Sequence, residues 1–197
     1  NDSYSFNNID SNDGGNNKEF TIPSDQSYVD KFIRVTAVSL DSRGGTTSFE
    51  SSPQIIANVN DLPVFTSTPV LTVNEDSLYT YTITVTDEDL SGNVTITSST
   101  LPDFLTLKDN ENNTATLTGT PLQANLGDNQ VVIVAKDPSG GITNQSFVIN
   151  VSNVNDLPVF TSTPVLTVNE DSVYEYTIVV TDEDLSGNVT ITSSTLP

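Results

Sequence analysis

The stretch LYTYTITVTDEDLSG, Leu78–Gly92, decides the fold. Tyr79, Tyr81, Ile83 and Val85 fall on one face of an extended chain, and Thr80, Thr82, Thr84 and Thr86 on the other. A period of two describes a half-buried strand, not a helix, and aromatic and β-branched residues suit a pleated surface. The run ends on three consecutive carboxylates, Asp87, Glu88 and Asp89, ahead of a Ser-Gly turn signal. TDEDLSG occurs again at Thr181–Gly187.

Working outward, shorter alternations flank this strand: Val70–Val73 before it, then Val94/Ile96, Leu105/Leu107, Ala115/Leu117, Val132/Val134 and Phe147/Ile149/Val151. Turn signals separate them at Ser91-Gly92-Asn93, Lys108–Asn113, Gly127-Asp128-Asn129 and Asp137–Gly141. No segment carries a helical stripe. About seven short strands in about 95 residues predict an all-β, immunoglobulin-like, seven-stranded β-sandwich.

The chain repeats itself, and self-similarity at a fixed period takes precedence over local reading. Asn60–Pro102 returns at Asn155–Pro197 with only Leu78 changed to Val173, Thr80 to Glu175 and Thr84 to Val179. The expected organisation is therefore one complete repeat, 60–154, followed by the first part of the next, 155–197. Residues 1–59 have a different body and read as the latter part of another β domain. Partial domains at both ends suggest a segment of a much longer protein.

Composition narrows the function. With 26 acidic and 6 basic residues, a formal charge of −20, nothing could neutralise a run of phosphates, which argues against a nucleic-acid partner and equally against an anionic membrane surface. Such a charge favours cations. There is no Cys, His, Trp or Met, so the fold rests on its core, on metal, or on both. No apolar run approaches the ~20 residues that span a bilayer. No secretion signal opens the chain, as expected of an internal segment or of a protein whose signal has been removed. Without His or Cys, a Ser or Thr nucleophile would need Lys as base, and no Lys stands at motif spacing from a serine. The protein is expected not to be an enzyme.

The alternation of strand direction places the carboxylates. Loops two strands apart fall at the same end of an antiparallel sandwich. The entry linker with Asp61, the Asp87–Asp89 loop and Asp137 converge on one end. Glu75 and the exit linker, Asn153–Asp156, meet at the other, with Asp128 a further candidate there, facing Asp182 and Asp184 of the next repeat. Bare like charges at ~4 Å repel by about 4 kcal/mol at an effective dielectric of 20. Ca²⁺ takes 6–8 oxygens from carboxylates, amides and carbonyls, which is the mix offered here. Mg²⁺ demands stricter geometry, and Zn²⁺ prefers His and Cys. The simpler reading is that Asp and Ser-Gly only make turns at strand ends.

Four motifs resemble cadherin-type repeats: NVNDLPVF their inter-repeat linker, VNEDS their early glutamate motif, VTDEDLSGN their paired aspartates and AKDPSGG their late aspartate. LPDFL followed by TATLTGTP is more similar to the dystroglycan-type cadherin-like and putative-Ig repeats of large bacterial surface adhesins. The resemblance covers 60–197 and implies tandem immunoglobulin/cadherin-like repeats with Ca²⁺ between neighbours. It assigns Asn60, Asp61, Asp87, Asp89 and Asp137 to the first junction, and Glu75, Asn155, Asp156, Asp182 and Asp184 to the second. The sequence departs from cadherins at Asn58 and Asn153, where the linker's leading aspartate stands, at Leu62 and Leu157, and in GTPLQANLGDN, which lacks an acidic motif. One or two ions per junction are expected.

The function so implied is a calcium-stiffened spacer in a secreted or cell-surface bacterial adhesin or surface fibre. Its partners would be calcium and the adjacent repeats of its own chain, with other fibre chains or a glycan engaged elsewhere and no membrane insertion. Two alternatives stay open: a carbohydrate- or protein-binding module, and a filament subunit completed head to tail by neighbouring chains. The Thr-rich faces fit exposed strands better than an ice-binding plane, and Tyr79 and Tyr81 fit a core better than a sugar platform.

Overall fold

A computed structural model describes residues 22, 24, 26–89, 92–184 and 188–194. The expectations for 1–21, for Ser91, and for the end of the second copy at 185–187 and 195–197 lie outside the described residues. The chain divides into two compact units, Asn1–Asn60 and Asp61–Pro197. The second holds the complete repeat from Asp61 onward and the copy that follows it.

In the first unit, a 3₁₀ turn at Gln26–Tyr28 precedes β1 (Phe32–Ile33), β2 (Thr36–Leu40), β3 (Thr46–Glu50) and β4 (Gln54–Ile55). β1 pairs with β4 and β2 with β3, all antiparallel. The β2–β3 turn is closed by Asp41, whose Oδ1 accepts the backbone N–H of Arg43 and of Gly45, both at 2.8 Å. These amides, that of Gly45 foremost, hold the Asp41 carboxyl below its ordinary value. Arg34 and Glu50 form an ion pair at 2.8 Å, both well exposed, and such a pair contributes little to stability.

The second unit contains β5 (Val64–Phe65), β6 (Thr72–Asn74), β7 (Tyr79–Thr86), β8 (Thr95–Thr100), β9 (Leu105–Asp109), β10 (Thr114–Gly119), β11 (Gly127–Lys136) and β12 (Ile142–Ser152). They form two four-stranded sheets, ordered β5-β7-β10-β9 and β6-β12-β11-β8. Every pairing is antiparallel except β6 with β12. In the following copy, β13 (Val159–Phe160) pairs with β14 (Val180–Thr181). No α-helix occurs among the described residues.

The strand expected at Val70–Val73 is β6, and an unexpected short strand, β5, precedes it in the other sheet. Pro69 lies within the crossing, and proline cannot donate to a continuing ladder. Side chains pin the switch. Ser67 Oγ accepts the N–H of Thr84 at 2.9 Å and shares a proton with Tyr81 Oη at 2.7 Å. Tyr81 donates in turn to Gln145 Oε1 at 2.9 Å. One polar chain thus ties the crossing segment to both sheets, and the Tyr81 ring packs edge-on to Phe147 with centroids 5.9 Å apart.

The core lies between the sheets. β7 buries Tyr79, Tyr81, Ile83 and Val85 and turns its threonines outward. β12 contributes Phe147, Ile149 and Val151, and β8 and its approach contribute Val94 and Ile96. One expectation is overturned: in β11 the core residues are Val131, Ile133 and Ala135, each 0% exposed, and not Val132 and Val134. The run VVIVA is apolar on both faces, so alternation alone leaves its phase undetermined. Pairing with β8 and β12 fixes that phase, and a bulge at Val132/Ile133 offsets the β8 side.

Tyr79 donates its hydroxyl to the Val70 carbonyl at 2.8 Å. Burial, and then the neighbouring Tyr81, push its phenol up from 10.0 to about 12. The folded state therefore favours the neutral phenol. That contribution is complete below the unfolded value and is lost as pH rises through the folded one. Melting temperature should fall between about pH 10 and pH 12, and Tyr79→Phe should flatten this alkaline limb relative to the parent.

Candidate functional site

The loop after β7 starts as a turn built by its own aspartate. Asp87 Oδ1 accepts the Asp89 N–H at 2.8 Å. Asp89, 7% exposed, reaches back to the entry linker, where its Oδ2 accepts the Asp61 N–H at 2.7 Å. Asp137, 3% exposed, opens the β11–β12 turn, and its Oδ1 accepts the Gly141 N–H at 2.9 Å. This turn needs Gly140, whose φ is +103°. The two loops share one end of the sandwich because Thr95 at the start of β8 pairs with Lys136 at the end of β11. A Cβ on Gly92 would lie 3.4 Å from the Pro138 ring.

Each of these aspartates therefore uses an oxygen to shape backbone, as the simple turn reading expects. Asp87 has one oxygen left over: its Oδ2 is buried and accepts no hydrogen bond. A buried carboxylate oxygen without a partner costs about 1–3 kcal/mol or more, so this atom calls for a ligand. A cation is the complement of its charge.

At the other end, Glu75 is 1% exposed. Its N–H donates to the Ser152 carbonyl at 3.0 Å, and its Oε1 accepts the Val154 N–H at 2.8 Å. Asp76 holds φ at 58°, and its counterpart Asp171 at 63°. The next copy repeats the geometry of the first: Asp156 N–H donates to Asp184 Oδ2 at 2.7 Å, and Asp184 N–H to Asp182 Oδ1 at 3.0 Å. Asn153, Asn155, Asp182, Asp184, Asn188 and Thr190 line a cleft of about 320 Å³, with Pro158 and Val189 beside them.

Of the first predicted set, Asp61, Asp87 and Asp89 are joined by hydrogen bonds, Asp137 sits at the same end, and Asn60 is the last residue of the first unit. Of the second, Glu75 grips the linker, while Asn155, Asp182 and Asp184 line the cleft and Asp156 is bound to Asp184. Asp128 instead accepts a hydrogen bond from Asn150 on the neighbouring strand at 2.8 Å. Among the described residues, no three acidic side chains meet closely enough to form a metal cage by themselves. Calcium sites also draw on amide and backbone oxygens, which both ends supply.

Sequence reasoning missed Gln123. It lies in a 3₁₀ turn, Gln123–Asn125, and donates from Nε2 to the Glu183 carbonyl at 2.6 Å. Its only sequence signal was the lack of an acidic motif in that loop.

Two sheets in this order, with β5 and β6 divided between them, define an immunoglobulin-like sandwich of the cadherin-like kind. Residues 62–152, nearly the whole of the complete repeat, match the family model described as "Putative Ig domain". Among solved structures, protocadherin gamma B2 extracellular cadherin domains 3–6 share the fold with a TM-score of 0.52 at 22% identity, over 78% of this chain and 40% of that one. The SrpA adhesin from Streptococcus sanguinis is similar at 18% identity and a TM-score of 0.43, over 56% and 69%. An endo-fucoidan hydrolase of glycoside hydrolase family 107 is similar at 24% identity and a TM-score of 0.40, over 55% of this chain. The chain spans 17% of that hydrolase's length. No curated protein sequence matches the chain.

Proposed function

We propose that this chain is a calcium-stiffened spacer segment of a large secreted or surface-attached bacterial protein of the adhesin or surface-fibre type, without catalytic activity. Asp87 Oδ2 carries the reading, as a buried carboxylate oxygen with no donor, in a loop whose Asp89 binds the entry linker at the Asp61 amide. The donor set is all oxygen in a chain with no His or Cys, and it suits a hard divalent cation. At the first end Asp61, Asp87, Asp89 and Asp137 would hold the ion, and at the second Glu75, Asn155, Asp156, Asp182 and Asp184.

At the second end an ion would hold loops from both sides of the 153–156 linker in one arrangement. A repeat of this kind is roughly 35–45 Å long, taking about 10 residues per strand at ~3.3 Å each plus loops. Repetition with so few changes suits a part whose length matters more than its surface. Extracellular modules bind calcium near 10⁻⁴–10⁻³ M, so the site would fill outside a cell. No helix among the described residues is long and apolar enough to cross a membrane.

Calorimetric titration of the 197-residue chain with CaCl₂ tests this. Binding in the submillimolar to millimolar range that weakens in Asp87→Asn supports the reading. A flat titration up to about 10 mM, above the range typical of extracellular modules, ends it.

A further inference from the structure

The exit junction holds a second device that does not use a metal. Two carboxamides approach the acidic loop of the next copy from separate parts of the complete repeat. Asn153, on the linker, donates from Nδ2 to Asp184 Oδ1 at 2.7 Å. Gln123, in the turn before β11, donates from Nε2 to the Glu183 carbonyl at 2.6 Å. Neither bond could form from a carboxylate at the same position, because an ionised carboxylate only accepts. An Asp in place of Asn153 would oppose Asp184 with like charge, and a Glu in place of Gln123 would face a carbonyl.

We infer that Asn153 and Gln123 form an ion-independent clamp that holds the Asp182–Asp184 loop of the next repeat against the end of the preceding one. The clamp acts on a linker that is already bound at both sides, by Glu75 at Val154 and by Asp184 at Asp156. Residues 153–156 thus connect two bodies through side chains and backbone amides, before any ion is considered. Such a junction keeps its alignment when calcium is removed, and calcium adds to a joint that is already closed. This goes beyond the proposed function and shares with it only the premise that the junction is a stiff joint.

The chain has no cysteine, so spin labels can be placed at will. Labels at Thr106→Cys and Thr177→Cys, both on exposed positions, report the distance across the junction by pulsed electron paramagnetic resonance. In chelator, the labelled parent chain should give one narrow distance. That narrow distance should be lost in Gln123→Ala/Asn153→Ala, and also in Asn153→Asp, where repulsion replaces the bond. Circular dichroism checks that each variant keeps the sandwich, since neither residue belongs to its core.

A parent distribution in chelator as broad as that of the double variant overturns the clamp. So does a narrow distribution retained by the double variant in chelator. A chain that is narrow in chelator and indifferent to calcium supports the clamp while counting against the calcium reading. One that is broad in chelator and narrows with calcium does the reverse.

Discussion

Gly119→Ala should lower the melting temperature of the complete repeat by roughly 10–20 °C, which corresponds to about 3 kcal/mol for a domain of this size. Gly119 ends β10, between Tyr79 on β7 and Leu105 on β9. A Cβ there would lie 1.9 Å from the Phe104 carbonyl oxygen and 2.8 Å from its carbon. Those are backbone atoms of the turn that delivers Leu105 to the core, so no side-chain rotation relieves the clash. Either β9 separates from β10 or the turn moves and carries Leu105 and Phe104 with it. Thr82→Ala, on the exposed face of β7, is the matched control, and its effect should stay within about 0.5 kcal/mol. A change for Gly119→Ala no larger than the control's would show that the turn yields freely.

Calcium should raise the same melting temperature, and a chelator should reverse the change. An ion at ~100 times its dissociation constant adds about 2.7 kcal/mol per site to the folded state, which is again roughly 10–20 °C for one occupied site. Asp87→Asn separates the two contributions of that side chain. The amide oxygen still accepts the Asp89 N–H, so the turn survives, while the charge that the buried Oδ2 would bring to an ion is gone. In chelator the variant should melt at or above the parent, because a buried, unpaired charge has been removed. With calcium it should melt below the parent. An equal calcium response in both proteins would remove Asp87 from the site, and no response in either would remove the ion.

The strand pattern was largely legible because period-two alternation is local. Tyr79–Val85 and Phe147–Val151 show one apolar and one polar face, and that contrast states which side is inward. Val131–Ala135 is apolar on both faces and carries no such contrast, so its phase emerged only from pairing with β8 and β12. The crossing from β5 to β6 was equally hidden. It depends on Ser67, Tyr81 and Gln145 meeting across the two sheets, from positions 14 and 78 residues away from Ser67.

The acidic site was half legible. Repetition marked its residues, and strand direction sorted them to two ends. The bonds that give each carboxylate its role follow from geometry alone: Asp89 on the Asp61 amide, Glu75 on the Val154 amide, and Asp87 with one buried oxygen left over. Gln123 was illegible because a lone glutamine in a loop has no pattern, and its partner is 60 residues away.

The sequence by itself determined the all-β class, the repeat and the acidic character of the loops, because alternation, self-similarity and net charge need no contact to be read. Tertiary structure alone decided which face of β11 is buried, where the chain crosses from β5 to β6, and which side chains bond to the 153–156 linker. Those outcomes depend on pairings between residues far apart in the chain, and only the folded geometry brings such residues within hydrogen-bonding distance.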